Sequence, residues 1–149
     1  KTIPILLILL FVQIKLSAVN YYVSTSGNDA NEGTSIALAW RTVQRALDSA
    51  TPGSTVYILA GTYNEKTTLG VSGTSANPIT FRNYNSDVVI IDGTGITSQD
   101  HILGISNKAF VTFQGLIFQN SIGNDSKGIF VQGICSNFIY NDCKRLWFS

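Results

Sequence analysis

Trp40-Arg41-Thr42-Val43-Gln44-Arg45-Ala46-Leu47-Asp48-Ser49-Ala50-Thr51-Pro52-Gly53-Ser54-Thr55-Val56-Tyr57-Ile58-Leu59-Ala60-Gly61-Thr62-Tyr63-Asn64-Glu65 holds a helix, a stop and a strand in one run. Trp40, Val43, Leu47 and Ala50 fall on one helical face, with Arg41, Gln44, Arg45 and Asp48 turned away. Pro52 and Gly53 end that helix, because neither continues it and glycine tolerates the turn that follows. Thr55 to Leu59 is β-branched and aromatic, closed by Ala60-Gly61, and reads as a strand. No second helical pattern follows, which argues against an alternating βαβ sheet. A helix laid over a stack of strands is the expected arrangement, with Trp40, Val43 and Leu47 as cap residues facing the first coil.

Outward from this run the pattern is strand, turn, strand. Upstream, Val19 to Val23 reads as an opening strand and Ser24 to Ala37 as a loop rich in Gly, Asn and Asp. Downstream, strands are predicted at 56–59, 67–71, 79–82, 88–91, 102–105, 110–113, 116–119, 129–131 and 138–140, with no clean two-residue hairpin between them. Val56-Tyr57-Ile58, Ile79-Thr80-Phe81, Val111-Thr112-Phe113 and Phe138-Ile139-Tyr140 recur at intervals of about 23, 32 and 27 residues, as one wall of a solenoid with loops of varying length would. Val88-Val89-Ile90-Ile91 and Leu116-Ile117-Phe118 supply a second wall. Asn83, Asn85, Asn107, Asn120, Asn137 and Asn141 are expected in the turns as a hydrogen-bonded ladder.

Composition agrees. The 149 residues include thirteen Gly and no Met, and only 13% are charged against 44% hydrophobic. That mix suits short strands and tight turns, and one core. Residues 1–18 read as a secretory signal: Lys1, an apolar run from Ile3 to Ile14 broken by Pro4 and Gln13, then Leu16-Ser17-Ala18 for cleavage. Lys15 leaves the cleavage position open, and a retained signal anchor is the alternative. The run is too short for a stable membrane span, which needs about 20 residues. Without Lys1 and Lys15 the charge is about −1, with no basic stripe, so nucleic acid is not an expected partner.

Tyr21-Tyr22-Val23-Ser24, Ser26-Gly27-Asn28-Asp29, Glu32-Gly33-Thr34, Trp40 to Ala46, Pro52 to Val56 and Ala60-Gly61-Thr62-Tyr63-Asn64-Glu65 resemble the start of secreted right-handed parallel β-helix proteins. The nearest are polysaccharide lyases of the pectate-lyase and chondroitinase-B/alginate-lyase type. The resemblance spans Tyr21 to Asp142 and implies an all-β solenoid with an N-terminal capping helix. It divides the chain into a signal (1–18), an opening strand, loop and cap (19–54) and the first coils (55–149). About four coils are expected, the last incomplete. Lys144 to Ser149 fits the repeat badly and suggests a premature stop or a shifted frame. It further implies a secreted, periplasmic or cell-surface protein whose partner is an acidic polysaccharide cleaved by β-elimination. A non-catalytic carbohydrate-binding β-helix and an inactive truncated piece are the alternatives.

β-Elimination needs a base beside the uronate carboxylate and a cation to stabilise the enediolate. The resemblance implies Lys or Arg as base beside calcium held by acidic residues on middle coils. No position here matches that part of the family pattern, so catalytic and metal residues stay unassigned. Other groups have simpler readings. Asp100-His101 are strand neighbours pointing to opposite faces. Asp92-Gly93 is a turn, and Asp29 with Glu32 is an Asx-turn element before it is a calcium site. Lys66, Lys108 and Lys127 read as solvated charges. Tyr21, Tyr22, Tyr63 and Tyr84 could stack on sugars but read first as structural aromatics. Asn124-Asp125-Ser126 is a glycosylation sequon. Cys135 and Cys143 form either a disulfide or two buried thiols.

Overall fold

Among the described residues from Thr55 onward, no strand pairs with the next in sequence; each pairs in parallel with a strand three places away. That pairing defines a coil. The computed structural model describes residues 18–96, 101–121, 127–142 and 144–146. The elements are β1 (Asn20–Val23), a short 3-10 turn (Ile36–Leu38), α1 (Val43–Ser49), β2 (Thr55–Ile58), β3 (Gly61–Asn64), β4 (Thr67–Thr68), β5 (Ile79–Asn83) and β6 (Val89–Asp92). They continue with β7 (His101–Ser106), β8 (Ala109–Gln114), β9 (Leu116–Gln119), β10 (Lys127–Gln132), β11 (Ser136–Asn141) and β12 (Lys144–Leu146). Three parallel sheets result, in the orders β1-β2-β5-β8-β11, β3-β6-β9-β12 and β4-β7-β10. The solenoid expected from the recurring strand runs is the fold found.

Register stacks like over like. In the first sheet Tyr21, Val56, Phe81, Phe113 and Tyr140 share one inward column, and Ile79, Val111 and Phe138 another. Phe81 and Phe113 stack at 5.3 Å between ring centroids, and Phe113 and Tyr140 at 5.6 Å. Tyr63, Ile91 and Phe118 form the inward column of the second sheet. In the third, Thr67, Leu103 and Ile129 align, and the buried Thr67 hydroxyl donates to the Ile102 carbonyl at 2.8 Å. Apart from Thr67 and the exposed Tyr140, these residues form or pack against a single core with Val43, Ala46 and Leu47 of α1.

Several expectations change in detail. The helix is shorter than predicted: it starts after Thr42, whose Oγ1 accepts from Arg45 N at 3.1 Å. Trp40 lies before the helix, bridges Val23 in parallel and stacks on Tyr21 at 4.7 Å. The wall predicted from Val56 and Ile79 is real, but Val56 aligns with Phe81, not Ile79. A shift of two keeps every side chain on its expected face. The strand predicted over 67–71 ends at Thr68, because Gly70 N donates to Leu47 O of the helix. β3 is not among the predicted strands; pairing with β6 makes it one. Lys144–Leu146 does fit the repeat, paired in parallel with Ile117–Gln119.

The asparagines stack differently from a ladder. Asn107, Asn120 and Asn137 occupy left-handed turn positions, with φ of 52°, 58° and 55°. The Asn83 amide donates to Asp87 O, and that of Asn120 to Asp92 and Thr94. Asn83 also fills the space beneath Gly115 one coil on, as Asn107 does beneath Gly133; a methyl at either glycine would overlap the amide below. Residues 1–17, which hold nearly all of the predicted signal, lie outside the described residues.

Candidate functional site

The top of the solenoid is closed by side chains that imitate strand pairing. Gln44 reaches from α1 to β4, donating its amide to Thr68 O at 2.9 Å and accepting Thr68 N at 2.7 Å. This satisfies both backbone groups of a strand that has no neighbour above it. Glu65 works in the opposite direction. Its two carboxylate oxygens accept from Val43 N and Gln44 N, each at 2.9 Å. A capping box would place Glu or Gln at the third helical residue, but that residue is Arg45, so the acid comes from the next coil instead. Asp29, from the preceding loop, accepts Arg41 N and Thr42 N on Oδ1 and the Thr42 hydroxyl on Oδ2.

Between this cap and β3 opens a cavity of about 240 Å3, lined by Thr25, Arg41, Thr42, Thr62, Tyr63, Asn64 and Glu65. The Arg41 guanidinium donates to Thr25 O at 3.0 Å. Burial first of all pushes the Glu65 carboxyl up, and the amides of Gln44 and Val43 offset only part of that. Burial also raises Asp29, but hydrogen bonds from Thr42 and Arg41 outweigh it and leave the group below its ordinary value. Each carboxylate is committed to backbone amides. The cavity therefore offers hydroxyls, an amide and a guanidinium, and no free base.

The residues singled out in the sequence disperse over the fold. Asp29 bridges to the helix start rather than making a local turn; the Asx turn belongs to Asn28, which accepts Ala30 N at 2.9 Å. Glu32 is exposed. His101 stacks on Phe130 at 5.6 Å, and Asp100 lies outside the described residues. Asp92 accepts Thr94 N, as a turn residue should, and also the amides of Gln119 and Asn120 from the following coil. Burial raises its pKa, but these donors outweigh burial and leave it lowered. Lys108 is half-buried, and its ammonium, at an exposed site, donates to Gly70 O at 2.6 Å and ties two coils together. Lys66 is exposed. The side chain of Lys127, the sequon at 124–126 and Cys143 lie outside the described residues. Cys135 is half-buried and its thiol donates to Gln132 O. Among the described residues no group of three His, Cys, Asp or Glu could hold a metal ion, and no helix is long and apolar enough to cross a membrane.

Of the tyrosines, Tyr63 is buried, its hydroxyl donating to Leu59 O at 2.9 Å, and burial above all raises its pKa. Tyr22 and Tyr84 are half-buried on the outer face of the first sheet, together with Tyr57. Strand alternation alone places Tyr57 there, and the sequence reading passed over it.

The chain is 36% identical over 128 residues to the uncharacterised protein YwoF of Bacillus subtilis (strain 168), covering 81% of this chain and 27% of that protein. It is 41% identical over 78 residues to pectate lyase PEL9 of Emericella nidulans, covering 51% of this chain and 19% of the enzyme. It thus spans about a quarter or less of each of these relatives. The crystal structure of pectate lyase Pel9A superposes with a TM-score of 0.68 at 21% identity, covering 88% of this chain and 35% of that one. A GH136 lacto-N-biosidase from Eubacterium ramulus superposes at 0.60 and 17% identity, covering 85% and 30%. Both structural likenesses show the same fold. The model of the Pel9A-like right-handed β-helix region matches residues 21–145, and the chain belongs to that family.

Proposed function

We propose that this chain forms the capped N-terminal coils of a secreted polysaccharide lyase that cleaves an acidic, pectate-like polysaccharide by β-elimination. One observation carries the reading: 41% identity over 78 residues to pectate lyase PEL9. Family membership supports it. The role of these coils is architectural. Gln44, Glu65 and Asp29 seal the upper end of the solenoid, and the sheets below offer a rigid template on which further coils can stack. The carboxylates of Asp29, Glu65 and Asp92 accept from backbone amides or neighbouring side chains. In this reading the catalytic groups and the calcium that the resemblance implies belong to other coils of the parent protein. Residues 1–18 serve as the export signal in this reading.

The test is product analysis of a longer protein that contains this chain. It is incubated with pectate, alginate and chondroitin, with and without calcium. Unsaturated uronide from pectate is the expected result; none from any of the three substrates would overturn the reading.

A further inference from the structure

Among the described residues the cap covers the core but pairs only two of the three upper strand edges. The uppermost strands of the three sheets are β1, β3 and β4. On β1, Tyr22 N donates to Gly33 O at 2.8 Å and Tyr22 O accepts Trp40 N at 2.9 Å. On β4, both backbone groups of Thr68 meet the Gln44 amide. β3 differs from both. Gly61 N donates to Val88 O at 3.1 Å, so Gly61 and Tyr63 turn their backbone groups down to β6. Thr62 and Asn64 alternate with them and turn theirs upward. Both are exposed, both line the cavity of about 240 Å3, and no hydrogen bond joins their upward backbone groups to another described residue.

An exposed strand edge with open N–H and C=O groups is a template for another strand. An extended peptide laid on it offers donor and acceptor in the alternation that Thr62 and Asn64 require. The cavity has room for about eight waters, or for about two residues of extended chain. Its charge selects among peptides. Arg41 is exposed and spends one guanidinium N–H on Thr25 O, and the rest of the fork has no acceptor among the described residues. Glu65 on the same wall has both oxygens occupied by Val43 N and Gln44 N, so the charge left open to a ligand is positive. The lining offers no exposed ring for a sugar face to stack on, because Tyr63 is buried. We propose that the upper edge of β3 is a docking site for an extended acidic peptide of a partner protein, which adds as a strand to the second sheet. The peptide backbone pairs with Thr62 and Asn64, and an aspartate or glutamate side chain meets Arg41. The site is independent of lyase activity, which is read from unsaturated product.

The probe is a capped tetrapeptide of alternating valine and aspartate, titrated into the full chain and followed by amide chemical shifts. Shifts should concentrate at Thr62 and Asn64, and hydrogen exchange of these two amides should slow. N-methylating the peptide one nitrogen at a time should abolish binding at alternate positions only, because every second N–H faces β3. Replacing its aspartates by asparagine, or Arg41→Gln in the protein, should weaken binding by about tenfold or more. Arg41→Gln keeps the backbone N–H that Asp29 accepts. The changes made to the peptide leave the protein untouched, so the test survives a variant that fails to fold. The proposal is overturned by absence of binding, by shifts confined to other strands, or by N-methylation without effect at every position. Equal affinity of the aspartate and asparagine peptides, or of the Arg41→Gln protein, overturns it too. Oligogalacturonate that shifts Thr62 and Asn64 where the peptide does not would assign the edge to a sugar instead.

Discussion

Replacing Gly115 by Ala tests whether the turns are built by one coil resting on the next. Gly115 has φ of +66°, and its Cα sits over the Asn83 amide; a methyl would overlap Asn83 Oδ1 and come within 2.6 Å of Cγ. Three costs follow. The left-handed backbone penalises a side chain by about 1–2 kcal/mol. Displacing Asn83 forfeits its 2.9 Å bond to Asp87 O, about 1 kcal/mol. Residual crowding adds about 1–2 kcal/mol. The sum is about 3–5 kcal/mol. Removing the obstacle separates the terms: in an Asn83→Ala background the bond is already lost and the methyl has room, so Gly115→Ala should then cost only the backbone term of about 1–2 kcal/mol. Equilibrium urea unfolding of the four proteins gives the coupling, expected near 2 kcal/mol with unchanged m-values. An equal cost in both backgrounds would refute the stacking account and leave backbone conformation as the whole reason for the glycine.

Gln44→Ala removes both bonds to Thr68 while improving helix propensity, and should cost about 1 kcal/mol in urea unfolding. Faster amide exchange at Thr68 should accompany it, since that N–H loses its acceptor. Phe81→Ala empties the middle of the aromatic column and should cost about 3–5 kcal/mol. Asp92 is held below its ordinary pKa, so its stabilisation is present above the unfolded value near 3.9 and is lost as pH falls through the folded one. Asp92→Asn should therefore flatten the acid limb of stability against pH. Glu65 is raised, so its contribution is complete below about 4.3 and declines as pH rises through its folded value. Glu65→Gln should remove a slope of opposite sign, measured by unfolding across that range.

Much of the fold is legible in the sequence because burial writes a pattern. Ile79, Phe81, Val111 and Phe113 alternate with Thr80, Arg82, Thr112 and Gln114, so one wall and its outer face can be read directly. β3 is not legible, because Gly61 and Asn64 read as turn formers on either side of Thr62-Tyr63, and pairing with β6 sets the strand. β12 is missed because Lys144 and Arg145 fit the apolar repeat badly, yet their backbone pairs with Ile117 and Phe118. The cap is half legible. Val43, Ala46 and Leu47 announce the buried helix face, but Glu65 acts on an amide 22 residues away, a distance no local motif spans. Tyr57 looked like one more wall residue until the register set it between Tyr22 and Arg82 on the outer face.

The most direct test of the central claim is a nuclear Overhauser map of the full chain between backbone protons of neighbouring strands. Stacked parallel coils predict contacts linking Thr55 to Thr80, Thr80 to Thr112 and Thr112 to Ile139, and none pairing β5 with β6. Contacts running antiparallel between Ile79–Asn83 and Val89–Asp92 would mean hairpins in place of coils and would contradict the account.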